Sequence, residues 1–161
     1  MSQKIGDPAD LESQLLVIRS PRVPETGGPF SMAVRSRPYV YISGLPPFEE
    51  AFCARLREAR EKGLPLPRYE RKPIEEETRI VMNHMKWLLE EAGSAMDHLL
   101  KVTVWLRDQK EQAAFDRVYV EYFSSREALP ARTRMQAGAT PFDCGLEIDA
   151  IGYIPGAPVG R

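Results

Sequence analysis

Between Glu75 and Gly93 the apolar residues Val81, Met85, Leu88 and Ala92 recur at offsets of 0, 4, 7 and 11, and from Leu100 the period drops to two. There Leu100, Val102, Val104 and Leu106 alternate with Lys101, Thr103, Trp105 and Arg107. The first period is that of a helix with one buried stripe, the second that of a strand with one buried face. A helix that stops at a glycine and soon gives way to a half-buried strand must lay its stripe on a sheet. This pairing points to an α+β chain in which helices cover one sheet face.

The remaining segments supply partners for that pair. "FSMAVRSRPYVYISG" holds two apolar-rich runs around "RSRP", a hairpin with Tyr39, Tyr41 and Ser43 on one face and Val40 and Ile42 on the other, ending at Ser43-Gly44. "FEEAFCARLREAREKG" spaces Phe48, Phe52 and Leu56 by four and closes at Gly63, a short amphipathic helix. "LPLPRYERKP" follows as a proline-punctuated loop. Phe115, Val118, Tyr119 and Tyr122 fit a third helical face, and "PARTRMQAG" and "GLEIDAIGYI" supply two further strands. In the last of these Leu146, Ile148 and Ala150 alternate with Glu147, Asp149 and Ile151. The first 26 residues hold one short apolar run, Leu15 to Ile18, read as an arm with one edge strand. The expected organisation is an arm over 1–26, one domain over 27–155 with a longer insertion at about 45–74, and a tail over 156–161. A sheet covered on one side only leaves a face bearing Tyr39, Tyr41 and Trp105, or their opposite neighbours, which self-association would bury.

Composition narrows the function. Two cysteines, Cys53 and Cys144, form no metal-binding spacing and no disulfide framework, which predicts a reduced, cytoplasmic setting. The first residues carry no apolar core of signal-peptide length and no run spans a bilayer, so neither secretion nor membrane insertion is expected. A net charge of -1 without a basic stretch speaks against nucleic-acid binding.

"LPARTRMQAG" poses the sharpest question about function. On a pleated strand Arg132 and Arg134 project from one face, with Thr133 and Met135 on the other. Two adjacent cations keep an edge strand soluble or anchor an anion, and these ten residues do not choose between the two.

Seven pieces taken in order narrow the choice: "GGPFSMAV", "YISG", "ETRIVMNHMKWLLEEAG", "KVTVWLRD", "FDRVYVEYF", "PAR" and "LEIDAIG". Phe30 stands thirteen before Ser43, and Arg132 fifteen before Glu147. With these pieces and spacings the chain resembles the YjgF/YER057c/UK114 family, the reactive intermediate deaminase (Rid) proteins. The resemblance implies a chorismate-mutase-like single mixed sheet with two main helices on one face. It also implies a homotrimer with clefts between subunits and hydrolysis of enamines or imines to keto acids and ammonia, with no metal or organic cofactor. Carried over residue by residue, it makes Arg132 the carboxylate anchor and Glu147 the group that places or activates water. Ser43 and the Gly44 backbone become polar lining, and the main-chain carbonyl of Arg134 faces the substrate nitrogen.

The chemistry of each residue type suits its role. A guanidinium presents a planar fork to a carboxylate, and a carboxylate within reach of water accepts its proton as it attacks a C=N carbon. Phe30 stands where many members carry tyrosine, keeping an aromatic wall without the hydroxyl. Asp116 is matched to the family's usual asparagine. The Arg134 side chain, about 7 Å along the strand from Arg132, either holds a second anion or pairs with an acid. A second anion would suit a dicarboxylate enamine, and the family resemblance also permits a 2-aminomuconate-type deaminase of aromatic catabolism. His84, His98 and Cys144 are read as packing residues, and the helix inserted after Gly44 as a cover over a subunit edge or cleft mouth. A non-catalytic trimer that binds small carboxylates is the alternative, whereas a ribonuclease, a name also attached to the family, conflicts with the charge.

Overall fold

A computed structural model describes residues 15–156. Most of the arm (1–14) and most of the tail (157–161) therefore lie outside the described residues. Six strands form one sheet: β1 (Leu16–Ile18), β2 (Ala33–Ser36), β3 (Tyr39–Leu45), β4 (Leu99–Leu106), β5 (Ala131–Gln136) and β6 (Leu146–Tyr153). Their order across the sheet is β1-β2-β3-β6-β4-β5, with β4 and β5 parallel and every other neighbour antiparallel. Among the described residues three α-helices accompany the sheet: α1 (Glu50–Lys62), α2 (Ile74–Ala92) and α3 (Gln112–Tyr119). The third expected helix ends earlier than its apolar pattern, since Val120–Tyr122 tightens into a 3₁₀ turn.

The alternation seen in the sequence sets the faces. Val40, Ile42, Val102, Val104, Leu106, Leu146, Ile148 and Ala150 are buried on one face, and Val81, Met82, Met85, Leu88 and Leu89 of α2 are buried with them in the main core. At about 1.5–3 kcal/mol per fully buried large aliphatic side chain, this stripe supplies most of the drive to fold. Glu75, Glu76 and Glu77 stand in the first turn of α2, where the helix dipole favours anions, and Gly93 closes it in the left-handed conformation at φ 83°. The opposite face is open: Val17, Tyr39, Tyr41 and Met135 are exposed on it, and Trp105 and Ile151 are half-buried. Both helices packed on the sheet lie on one side, as the sequence implied.

Helix α1 stands apart from this core. Its Phe52, Cys53 and Leu56 join Phe48, Cys144, Tyr69 and Phe142 in a second cluster. Phe48, Phe52, Tyr69 and Phe142 pack with ring centroids 4.6 to 5.6 Å apart. Arg57 and Arg60 donate to the carbonyls of Glu25 and Thr26, both at 2.6 Å, tying α1 to the segment before β2.

The buried carboxylate of Glu77 links the segment before α2 to the start of β6. Its two oxygens accept the backbone N–H groups of Lys72 at 3.0 Å and Gly145 at 2.6 Å. Burial raises its pKa above the ordinary carboxylate value, against the lowering by those two donors. Gly145 has to be glycine here, since a Cβ would stand 2.3 Å from Glu77 Oε2.

Candidate functional site

Three of the expected site residues meet at the end of β3. The register of β3 on β6 shifts between Ile42 and Leu45, a bulge that places Gly44 beneath the Glu147 side chain. A Cβ on Gly44 would stand 1.8 Å from Glu147 Oε1, so only glycine lets the carboxylate lie over this backbone. Phe30 completes the group, and the three line a cavity of 160 Å³ with Thr26, Leu56, Arg60 and Phe142. Ser43 sits beside it, its hydroxyl donating to the carbonyl of Ser31 at 2.7 Å.

Glu147 is half-buried, and among the described residues no cation pairs with it. Burial, reinforced by the negative charge of Asp149, raises its pKa above the ordinary carboxylate value. Asp149 itself accepts from Trp105 Nε1 at 3.2 Å. A half-buried, unpaired carboxylate of raised basicity opening on a cavity can accept a proton from a bound water.

Arg132 lies elsewhere. In the parallel register Arg132 pairs with Val102 and Arg134 with Val104, so both arginines point to the helix-covered face, whereas Glu147, paired with Trp105, points to the open one. Two strand spacings and three residues along put their Cα atoms about 14 Å apart by ideal sheet geometry. Within one chain the expected site residues therefore form two separate groups, here called half-sites for their expected roles alone, one with Glu147, Gly44 and Phe30 and the other with Arg132.

The second half-site rests on α3. Arg132 Nη1 lies 2.8 Å from Asp116 Oδ1, and its guanidinium carbon stands 4.7 Å from the centroid of the Tyr119 ring and 5.6 Å from that of Phe115. Its side chain keeps a quarter of its surface exposed along the sheet edge, leaving donors for an incoming carboxylate. Burial pushes the Tyr119 phenol up to about 12, so beside Arg132 it stays protonated at neutral pH.

Arg134 departs from one of its expected roles. Its Nη1 pairs with Asp116 Oδ2 at 2.9 Å and its Nη2 donates to Gln112 Oε1 at 2.5 Å. The side chain thus neutralises an acid, the alternative left open by the strand geometry, and is not placed to hold a second substrate anion. Its backbone remains on the exposed edge strand.

The histidines and Cys144 have no place at either half-site. His84 is buried in α2 with its pKa lowered to about 4 by burial, and His98 packs on Tyr153 with ring centroids 5.0 Å apart. Burial pushes the Cys144 thiol up to about 12, far from a nucleophilic thiolate. Sequence reasoning missed Arg60, Phe48 and Phe142 as lining. Phe142 adopts the left-handed conformation (φ 52°) unusual for a side chain of its size, an irregularity that no periodic pattern signals.

Comparison with known proteins agrees with this fold. The family described as Endoribonuclease L-PSP matches residues 21–154. A RutC family protein of Pyrococcus horikoshii is 32% identical over 137 residues, covering 85% of this chain and 96% of that one. The crystal structure of an L-PSP-type protein from Entamoeba histolytica shares the fold at a TM-score of 0.70 and 33% identity, covering 88% of this chain and 100% of that one. Reactive Intermediate Deaminase A of Arabidopsis thaliana, a chloroplastic protein, is 25% identical over 135 residues, 84% of this chain and 64% of its own length.

Proposed function

Because the chain belongs to the Endoribonuclease L-PSP family, the YjgF/Rid proteins, we propose that it is a cofactor-independent hydrolase of imines and enamines derived from amino acids. The observation that carries this reading is the division of the site. A proton-accepting carboxylate in a cavity and a carboxylate-binding guanidinium occupy opposite faces of one sheet, and a second copy docked on the exposed face would bring them together. The assembly proposed is a homotrimer with each cleft shared by two copies, covering the apolar open face.

In that cleft Arg132 of one copy holds the substrate carboxylate and fixes the C=N carbon for attack. Glu147 of the other copy takes a proton from water as the oxygen bonds to that carbon. The C=N π electrons pass to nitrogen, which takes up both protons of the water, one by way of Glu147 and the second as the oxygen closes to the ketone, and leaves as ammonia. The balance is imine plus water giving keto acid plus ammonia, and an enamine first tautomerises by protonation at carbon. Phe30 gives an apolar wall that accommodates a conjugated chain, so unsaturated substrates of the 2-aminomuconate type fall within the reading.

The test is ammonia release from enzymatically generated imines, run with Arg132→Ala, Glu147→Gln and the two variants co-expressed. Each variant alone should be inactive. Random assembly of the two should restore about a quarter of wild-type activity, since about one shared cleft in four then has both groups intact. Wild-type binding of keto acids without ammonia release would favour a carboxylate-binding protein, and no recovery on co-expression would refute the shared cleft.

A further inference from the structure

The cavity beside Glu147 has a second charged lining residue. Arg60, on helix α1, lines it together with Glu147, and Phe30, Phe48, Leu56 and Phe142 supply its apolar surface. Its 160 Å³ is well above the ~10–15 Å³ that admits a single water. It is therefore sized for a short carbon chain. A carboxylate without a paired cation, a guanidinium and aromatic side chains around one cavity suit a ligand that is reactive at one end, apolar in the middle and anionic at the other.

On its helix Arg57 pairs with Glu50 and Lys62 with Glu58, whereas among the described residues Arg60 and Arg55 have no carboxylate partner, and of these two only Arg60 lines the cavity. One of its nitrogens, Nη1, donates to the Thr26 carbonyl at 2.6 Å, which fixes the guanidinium against the backbone. Nε and Nη2 remain as donors for an anion. The helix that carries it is anchored by its own aromatic cluster, so Arg60 is presented from a packed support. Arg134, the sequence's candidate for a second anchor, is occupied by Asp116 and Gln112.

We propose that Arg60 is a specificity-determining residue that selects imino or enamino acids bearing a second carboxylate at the end remote from the C=N bond. The proposal rests on the deaminase reading for the reacting end, with the first carboxylate on Arg132. It gives the inserted segment a role in selectivity, because α1 converts a general imine site into one that favours dicarboxylates.

The experiment uses the whole protein and stable keto-acid products as probes. Calorimetric titration compares 2-oxoglutarate and 2-oxoadipate with 2-oxopentanoate and 2-oxohexanoate, matched in chain length but lacking the remote carboxylate. Because a charge-assisted contact is worth about one to two powers of ten, the diacids should bind at least ~10-fold tighter. Arg60→Met, which keeps the apolar stem, should remove that preference and change monoacid affinity by less than about twofold. Arg57→Met, one turn away, should leave the preference intact and so separate contact from general charge. Equal affinity for diacids and monoacids in the wild type, or an unchanged preference in Arg60→Met, would overturn the assignment. Imine turnover on the same variants reads the chemistry separately: a diacid preference without ammonia release upholds Arg60 and sinks the deaminase, and ammonia release without the preference does the reverse.

Discussion

Replacing Asp116 by asparagine should strengthen carboxylate binding at Arg132, and the size of the gain follows from the geometry. Asp116 contacts Arg132 at 2.8 Å and Arg134 at 2.9 Å, so the three groups together carry one positive charge. An anion on the free edge of the Arg132 guanidinium would lie roughly 6–7 Å from the Asp116 carboxylate, two hydrogen-bond lengths plus the width of the group. Like charges at that distance repel by about 2.5 kcal/mol at an effective dielectric of 20 and about 0.6 kcal/mol in bulk water. A half-exposed pocket falls between these limits, so removing the charge should tighten binding by roughly three- to thirtyfold. The cost in stability is small, because Asp116 is 37% exposed and the two pairs together are worth about 1 kcal/mol. Titration with 2-oxobutanoate would measure the gain, with Arg132→Ala expected to weaken binding by at least ~30-fold. If Asp116→Asn keeps a native fold and weakens binding as Arg132→Ala does, Asp116 holds the anchor in place and does not compete with the ligand, and the reasoning fails.

Gly44→Ala should fold yet lose most turnover, since the added Cβ would meet Glu147 Oε1 at 1.8 Å and drive the carboxylate from the cavity; wild-type kcat/KM would refute the placement. In the wild type kcat/KM should rise with pH through the Glu147 pKa, which lies above the ordinary carboxylate value, because the ionised form is the base, and an unchanged acidic limb in any residual activity of Glu147→Gln would assign the proton elsewhere. Glu77→Ala should cost about 3–5 kcal/mol in denaturant unfolding by stranding two backbone donors and opening a small void. Glu77 also sets a pH dependence: the native state keeps its proton longer than the unfolded chain, so its contribution falls as pH rises from the ordinary carboxylate pKa through the raised native one. A stability curve with the same slope in Glu77→Gln would refute that linkage.

What the sequence could convey was which residues share a face; what it could not convey was which way an ambivalent face points. In β6 the alternation of Leu146, Ile148 and Ala150 with Glu147 and Asp149 has an unmistakable apolar side. The open-face position of Glu147 could thus be read directly. In β5 one side carries Arg132, Arg134 and Gln136 and the other Ala131, Thr133 and Met135, and neither is plainly apolar. Only pairing with β4, which sets Arg132 beside Val102, places the arginines under α3. That α3 then meets them with an acid and two aromatic rings is a tertiary fact, and it answers why the two cations stand side by side: both face Asp116. Glu77 was hidden for a related reason. In the first turn of a helix an acid reads as a surface residue favoured by the dipole, and its partner at Gly145 lies 68 residues away.

Helix α1 was legible as an amphipathic segment and as a cover over a subunit edge or cleft mouth, but which of its side chains line the cavity was not, and its packing accounts for both facts. Its stripe of Phe52 and Leu56 requires burial somewhere, and the main core offers no place for it, being filled by α2 and the sheet. The stripe is satisfied by a separate cluster built from Phe48, Tyr69, Cys144 and Phe142, residues scattered over the loops that border the cavity. Because that cluster is distinct from the core, the helix side chains facing the cavity can vary without repacking the sheet that positions Glu147. The two demands on such a site are then met by different parts of the chain. The sheet holds the Glu147 carboxylate over Gly44, and α1, on its own cluster, carries Arg60, the residue proposed to select the far end of the ligand.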